Sequence, residues 1–185
     1  MVIDVPTTSS SEIKMNNFVE NYYHALGGKE FPKETTDRLK RFFAELIVKR
    51  EYKKFTTFPT NNDQMIIVNK IRIFSFCEHH LLPFFGYVSV GYIPDGLIMG
   101  LSKFQRIVDK IASKPTLQEN VTQEIADKVK EILNPKGLGV SLNCQHTCMF
   151  GRGVERPEIN VSSQVLLGAF KNTETRHEFF MRIRE

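Results

Sequence analysis

The stretch that decides the fold is MIIVNKIRIFSFCEHHLLPFFGYVSVGYIP, which runs from residue 65 to residue 94. Two runs within it, residues 65–77 and 84–94, are rich in β-branched and aromatic side chains, so each predicts a strand. Between these apolar blocks stand Cys77, His79 and His80, with Glu78 beside them. A segment that served only a core would not collect such groups. The stretch therefore predicts two strands with reactive side chains at the end of the first.

The rest of the chain alternates between helical and strand patterns. Helical periodicity covers residues 12–26, 35–49, 101–113, 117–132 and 174–184, and strand-like runs return at residues 138–149 and 158–170. Residues 50–64 contain Pro and Asn-Asn-Asp and predict a loop. The order predicts an α+β fold, in which a ββααββ antiparallel sheet carries helices on one face. An N-terminal helical arm (1–50) would precede this domain (51–185).

Composition excludes several classes of function. The 185 residues carry a net charge of only +4 and contain no Arg/Lys run, so we expect no nucleic-acid partner. No apolar run reaches about 18 residues, and the N-terminus lacks a signal-peptide pattern, so we expect a cytoplasmic protein without a membrane span. Three cysteines without a secretion signal argue against a disulfide framework and turn attention to metal binding.

Two pairs of residues have the spacing of metal ligands. Cys77 and His80 form a C-x2-H pair at a strand end, and His146 and Cys148 are two apart on a predicted strand, so they would share a face. Thiolate and imidazole together favour zinc. Spacing leaves two arrangements open. The four residues would close a structural Cys2His2 site, or three would bind while one histidine performs acid–base chemistry. Of the adjacent His79 and His80, one would be a ligand and the other would stand beside the metal.

Other side chains suit an anionic substrate. Ser102, Lys103 and Arg106 stand at the start of a predicted helix, where an anion is favoured, and Arg152 lies between two glycines. Glu119 begins the following helix. Its carboxylate would accept two hydrogen bonds, as from a guanine edge, or would simply stabilise the helix N-terminus.

At this point the sequence resembles the GTP cyclohydrolase I family, which has the tunnelling fold (T-fold). The matching motifs run in family order from about Phe74 to the C-terminus. They are CEHHLLPFFG (77–86), GYIP (91–94), GLSKFQRIV (100–108), LQENVTQEIA (117–126), HTCMFGRGV (146–154) and TRHEF (175–179). The chain departs from the family pattern at Asn143 and Cys144 and in the run before Gly168.

The resemblance implies a role for each candidate residue. Zinc would be bound by Cys77, His80 and Cys148, with water as the fourth ligand. Proton transfer would fall to His79 and His146. The guanine edge would be held by Glu119 with Gln118, and the triphosphate by Ser102, Lys103, Arg106 and Arg152. Arg38 resembles an arm arginine that reaches the site of a neighbouring subunit.

The resemblance also implies a reaction and an assembly. GTP would be hydrolysed and rearranged to 7,8-dihydroneopterin triphosphate, with release of formate, in a homodecamer with sites at its subunit interfaces. Two alternatives remain open: a binding module with a closed structural zinc, and a T-fold relative that acts on another purine or pterin. The sequence assigns no role to Glu78 and does not show which pathway uses the product. It predicts that Cys144 is a buried core thiol.

Overall fold

The structure is a computed structural model that describes residues 9–32, 34–50, 52–151 and 159–184. Contacts within the chain divide it into two compact units, Met1–Val48 and Lys49–Glu185. The boundary predicted after residue 50, between a helical arm and a catalytic domain, stays a prediction. Within the described ranges, no helix is both long enough and apolar enough to cross a bilayer.

Two helices precede the sheet, α1 (Ser9–Ala25) and α2 (Glu34–Arg50). They agree with the helices predicted over residues 12–26 and 35–49. Helix α1 is followed by Gly27 with a φ of +89°, a left-handed conformation that glycine adopts without steric cost and that ends the helix. Acidic side chains in the first turn of α2 favour the positive end of the helix dipole.

The central hairpin joins β2 (Ile66–Cys77) to β3 (Pro83–Ile93) in antiparallel register. A β-bulge interrupts the register near Lys70, which has a φ of 57°. The turn closes with a hydrogen bond of 2.8 Å from the Cys77 N–H to the Leu82 carbonyl. The two strands predicted from the opening stretch are therefore confirmed, and the Cys-Glu-His-His segment lies where they connect.

The hairpin belongs to a five-stranded sheet of order β5-β2-β3-β6-β7. Strands β6 (Gly137–His146) and β7 (Val161–Gly168) continue the antiparallel pairing from β3. Strand β5 (Pro115–Thr116) adds a short parallel pairing at the end of β2. Strand β2 ends at Cys77 and β6 ends at His146. Only β3 lies between these two strands, so the two cysteine–histidine pairs are at the same edge of the sheet.

Helices α3 (Ser102–Ala112) and α4 (Gln118–Leu133) pack on the sheet. Their apolar side chains share one buried core with the strands; it includes Phe104, Ile107, Val121, Ile125 and Val129 from the helices and Ile73, Val88, Val90, Val140 and Leu142 from the sheet. Each such side chain contributes about 1.5–3 kcal/mol by leaving water. The predicted α+β T-fold architecture, with helices on the sheet and an N-terminal helical segment, is confirmed.

The loop predicted over residues 50–64 contains a strand that the sequence did not indicate. Strand β1 (Thr57–Pro59) pairs antiparallel with β4 (Leu97–Met99) in a separate two-stranded sheet. Three residues are too few to show an alternating pattern. The partner strand about forty residues away, not local propensity, determines this conformation.

The strand predicted over residues 138–149 ends earlier than expected. Strand β6 stops at His146, and α5 (Thr147–Phe150) forms a single helical turn. The Thr147 hydroxyl donates a hydrogen bond of 2.7 Å to the Pro83 carbonyl, and the Gly151 N–H donates one of 2.8 Å to the Thr147 carbonyl. These bonds turn the chain, so the prediction that Cys148 continues the strand is wrong.

The chain ends in a 3-10 turn (Ala169–Lys171) and helix α6 (Thr173–Arg184). The last helix agrees with the prediction, and the strand predicted over residues 158–170 ends at Gly168. The rings of Phe170 and Phe179 are fully buried and 5.3 Å apart. They pack over Gly139, where a Cβ would lie 2.5 Å from Phe170, so this contact requires glycine.

Candidate metal centre and active site

The turn after β2 brings Cys77 and His80 together. Cys77 is buried at the end of the strand, and the His80 N–H donates a hydrogen bond of 3.3 Å to the Cys77 carbonyl. This one turn of backbone directs both side chains to the same place. The Cys77 Sγ and the His80 Nδ1 lie 3.8 Å apart.

The second pair reaches the same place from β6 and α5. His146 pairs with Phe84 across the sheet, and Cys148 lies in the helical turn that follows. The ligand atoms of Cys77, His146 and Cys148 all lie within 4.8 Å of one another. The sequence predicts that His146 and Cys148 reach the site together because they share one face of a strand. It arises instead because the helical turn brings Cys148 back toward the strand end.

These residues form a possible metal-binding group. In a tetrahedral site with ligand distances of about 2.0–2.3 Å, the ligand atoms lie about 3.3–3.8 Å from one another. The separation of 3.8 Å between Cys77 and His80 fits that geometry, and the Cys77, His146 and Cys148 group within 4.8 Å is close to it. Cys77 belongs to both contacts, so two thiols and two imidazoles lie in one neighbourhood.

His146 is held on two sides by well-defined contacts. Its ring stacks on the buried Phe84 ring, with centres 4.6 Å apart and planes 8° from parallel. Its Nε2 lies 2.8 Å from the Gln118 Oε1. Burial lowers the pKa of the His146 imidazole from its ordinary value of 6.5, and the Glu119 carboxylate acts in the opposite direction. The ring is therefore neutral at neutral pH, as a metal ligand or a proton acceptor must be.

The first two residues of α4 lie on the same side of the molecule as His146 but differ in surroundings. Gln118 is 2% exposed, and its side-chain amide bonds the sheet and His146. Glu119 is exposed and interacts with the His146 ring through its charge. Of the two residues assigned to the guanine edge, only Glu119 has a side chain that is open to a substrate.

The basic side chains at the start of α3 gather around an aromatic ring. The Arg106 guanidinium lies 4.3 Å from the centre of the Tyr52 ring, and the Lys103 Nζ lies 5.6 Å from it. The Tyr52 carbonyl accepts a hydrogen bond of 2.9 Å from the Lys110 Nζ, which fixes the segment to the helix. Among the described residues, neither Lys103 nor Arg106 pairs with a carboxylate, so both charges remain for an anion.

The start of α3 differs in one respect from the anion site that its position predicts. The N–H groups of Lys103 and Phe104 already donate to the carbonyls of Gly100 and Leu101, at 2.8 and 3.3 Å. Ser102 is exposed at the first helical position. Any anion here would be held mainly by side chains rather than by the free N–H groups that usually bind anions at helix starts.

The remaining predicted residues are scattered. His79 is exposed, and its ring meets that of His80 edge to face, with planes 85° apart and centres 6.1 Å apart. Arg38 is exposed on α2, in the first unit. Arg152 lies outside the described residues. Cys144 is buried in the core, and burial raises the pKa of its thiol to about 12, so it is neutral as expected of a core cysteine.

Two residues of the site escaped sequence reasoning. Phe84 was counted only as a strand residue, although its register opposite His146 makes it the stacking partner. Tyr52 stands in a segment predicted as loop, and no local pattern links it to Lys103 or Arg106. Only the register between strands would have identified Phe84, and nothing in the sequence would have identified Tyr52.

The fold and the site together define an α+β protein in which thiol and imidazole groups converge where strands of an antiparallel sheet end. The sequence model of the GTP cyclohydrolase I family matches residues 17–184. The chain belongs to the GTP cyclohydrolase I family, and the resemblance seen in its motifs is confirmed.

Individual relatives agree with this assignment. The chain is 48% identical over 128 residues to GTP cyclohydrolase 1 of Alkalilimnicola ehrlichii, covering 69% of each chain. It is 42% identical over 154 residues to GTP cyclohydrolase 1 of Streptomyces avermitilis, covering 82% of this chain and 77% of the relative. The match to GTP cyclohydrolase 1 of Chlorobium phaeovibrioides extends over 97% of this chain and 85% of the relative, at 39% identity.

Proposed function

We propose that the protein is a zinc-dependent GTP cyclohydrolase I, which hydrolyses and rearranges GTP to 7,8-dihydroneopterin triphosphate and releases formate. This reaction is the first step of a pterin- or folate-type biosynthesis. The proposal rests on one observation, the approach of Cys77, His146 and Cys148 to within 4.8 Å of one another in a chain of this family.

The metal would be held by Cys77, Cys148 and His80. The distance of 3.8 Å between the Cys77 Sγ and the His80 Nδ1 supports this set, as does the position of Cys148 beside Cys77. Two thiolates and an imidazole suit zinc better than the hard cations magnesium and calcium. A bound zinc ion supplies Lewis-acid chemistry that activates water at neutral pH.

Two histidines would move protons. His79 would donate a proton to N7 of the purine as water adds at C8, which opens the imidazole ring of the base. Its exposure, beside the His80 ring, supports a role toward substrate. His146 would assist the opening and rearrangement of the ribose after formate has left, and its neutral ring suits it to accept a proton.

The substrate would be held at both ends. Glu119 would accept hydrogen bonds from N1–H and the 2-amino group of guanine. Ser102, Lys103, Arg106 and Arg152 would bind the triphosphate, and Arg38 would add a charge from the arm of a neighbouring subunit. The pairing of Lys103 and Arg106 with a ring instead of a carboxylate supports the anion site. Anchoring both ends fixes the purine relative to the reacting groups.

We further propose that the chain acts in the cytoplasm as a homo-oligomer, a decamer with sites at subunit interfaces. Aromatic side chains exposed on the sheet support association. Phe74 and Phe85, which are cross-strand partners, are each 40% exposed, and Tyr87 is 53% exposed. Sedimentation velocity of the purified chain tests the assembly, and a monomer at micromolar concentration would contradict it.

The deciding experiment follows GTP turnover in the full chain by formate release and by the fluorescence of the oxidised pterin. We expect turnover in the zinc-loaded protein, loss after treatment with a chelator, and recovery when zinc is restored. Mass analysis of the product separates a complete reaction from one that stops at a formamide. Zinc-loaded protein that releases no formate from GTP would refute the proposal.

A second candidate is a binding protein with a closed structural zinc site. It is favoured by the proximity of His146 as well as His80 to Cys77, which would complete a Cys2His2 site. The absorption spectrum of the cobalt-substituted protein distinguishes the candidates, because a ligand that displaces water perturbs the spectrum only in an open site. An unchanged spectrum in the presence of azide, together with no turnover of GTP, would favour the structural role.

A further inference from the structure

The side-chain amide of Gln118 is engaged entirely within the protein. Its Nε2 lies 2.8 Å from the Val161 carbonyl, 3.3 Å from the Leu142 carbonyl and 3.1 Å from the Ser163 hydroxyl. Its Oε1 lies 2.8 Å from the His146 Nε2. With only 2% of the residue exposed, this side chain is poorly placed to contact a nucleotide. We therefore expect Gln118 to have a role other than the guanine contact that the resemblance implies.

The partners of the amide determine which way it faces. The carbonyls of Val161 and Leu142 only accept hydrogen bonds, so the NH2 group of Gln118 must point toward them. Its oxygen then points toward His146, and because an amide oxygen only accepts, the His146 Nε2 must carry the proton. In the neutral ring, the lone pair available for bonding is consequently on Nδ1.

A second set of bonds holds the amide in this orientation. The Thr122 hydroxyl donates its single proton to the Gln118 backbone carbonyl at 2.9 Å, so its oxygen accepts from the Ser163 hydroxyl at 2.6 Å, and the Ser163 oxygen accepts from the Gln118 Nε2. This closed circuit ties the first turn of α4 to β7. On its other side, the His146 ring stacks on Phe84, with centres 4.6 Å apart.

We infer that Gln118 is a positioning residue, which fixes the Nε2-protonated tautomer of His146 and so reserves Nδ1 for the metal or the substrate. The inference rests on the proposed function only for its effect on turnover, because the tautomer is a property of the protein itself. For histidines that bind a metal, removal of such a hydrogen-bonded partner commonly lowers metal affinity or activity about 10–100-fold, and we expect an effect of this size for His146.

One measurement tests the tautomer without any reaction. In the zinc-loaded full chain labelled with 15N in its histidine rings, two-bond 15N–1H correlations distinguish a proton on Nε2 from one on Nδ1. The His146 signals are those missing from a His146→Gln variant. We expect the Nε2–H pattern at neutral pH. An Nδ1–H pattern would overturn the inference, whatever the activity of the protein.

A pair of variants tests the consequence for turnover. Gln118→Met keeps the length of the side chain but removes the acceptor, and Thr122→Val, one turn later and 1% exposed, breaks the same circuit without contacting His146. We expect Gln118→Met to lower kcat at least about tenfold, with the KM for GTP changed less than about twofold, and Thr122→Val, which leaves the acceptor of His146 in place, to lower kcat by a clearly smaller factor.

Other results separate the remaining explanations. A raised KM with unchanged kcat in Gln118→Met would mean that the side chain holds guanine, and equal losses in both variants would mean a purely structural role; either result overturns the inference. If wild-type protein does not act on GTP, the proposed function fails, while the NMR measurement still decides the tautomer.

Discussion

The Arg106 guanidinium lies over the Tyr52 ring, 4.3 Å from its centre, and the Lys103 Nζ approaches the same ring at 5.6 Å. Tyr52 comes from the segment before β1, whereas both cations belong to the first turns of α3. Because the Tyr52 ring attracts both cations, it keeps the two side chains close together despite their mutual repulsion, so that both can bind one anion. This contact links a residue outside every recognised motif to the proposed triphosphate site.

Replacement of Tyr52 is therefore expected to weaken substrate binding more than chemistry. Tyr52→Leu removes the ring face, and cation–π contacts at partly exposed sites contribute about 0.5–1 kcal/mol. We expect the KM for GTP to rise about two- to fivefold for each cation released, with kcat within about twofold. Steady-state kinetics at low salt measure both constants.

Tyr52→Phe is the matched control, because it keeps the ring and removes only the hydroxyl. It should retain the wild-type KM. If the two variants raise KM equally, the hydroxyl rather than the ring face carries the effect, and the cation–π explanation is wrong.

Two cysteines of the same segment should differ sharply in metal binding. Cys148 lies in the group of Cys77 and His146, whereas Cys144 is a buried, neutral thiol with a pKa raised to about 12. The thiolate is the form that binds zinc. We expect Cys148→Ala to lose bound zinc during purification and Cys144→Ala to keep the wild-type zinc content, as measured by elemental analysis. Equal zinc contents in the two variants would remove Cys148 from the metal site.

His79 is expected to affect turnover and not the metal. His79 is exposed, whereas His80 is the histidine whose Nδ1 lies 3.8 Å from the Cys77 Sγ. Loss of a general acid commonly lowers a rate about 10²–10⁴-fold. We expect His79→Gln to fall in this range while zinc content stays at the wild-type value. His80→Gln should instead lose zinc, and a His79 variant without zinc would show that the two roles are reversed.

The strands and helices that form the core were predictable because their side chains repeat a pattern. The β-branched and aromatic runs in residues 65–77 and 84–94 predict strands, and the helical stripes after residue 101 state which face of each helix is buried. Strand β1 has no such pattern in three residues, and its pairing with β4 comes from the tertiary fold. The end of β6 was missed for a similar reason, since the bond from Thr147 to the Pro83 carbonyl joins residues distant in sequence.

The site shows the same division. Motif spacing identified Cys77, His80, His146 and Cys148 as a group, because local spacing and strand ends bring such pairs together. The surroundings of each side chain were not predictable. That Gln118 is buried beneath His146, while its neighbour Glu119 is exposed, depends on how α4 packs against β6 and β7. Two adjacent polar residues at a helix start give no sign of this difference.

The pH dependence of stability offers a test of the surroundings of His146. Burial lowers the pKa of this ring in the folded protein below the value of 6.5 that it has when exposed in the unfolded chain. The unfolded state therefore binds the proton first as the pH falls. The contribution of His146 to stability is complete above about pH 6.5 and is lost as the pH falls through the folded pKa.

We expect urea midpoints of metal-free protein to decrease over this interval. A His146→Gln variant, which cannot titrate there, should show a smaller decrease. The metal-free state is required, because the charge of a nearby metal ion would itself change the pKa of the ring. If wild type and variant have parallel pH profiles, the His146 ring does not titrate with a lowered pKa, and its neutral state in the proposed mechanism would need another cause.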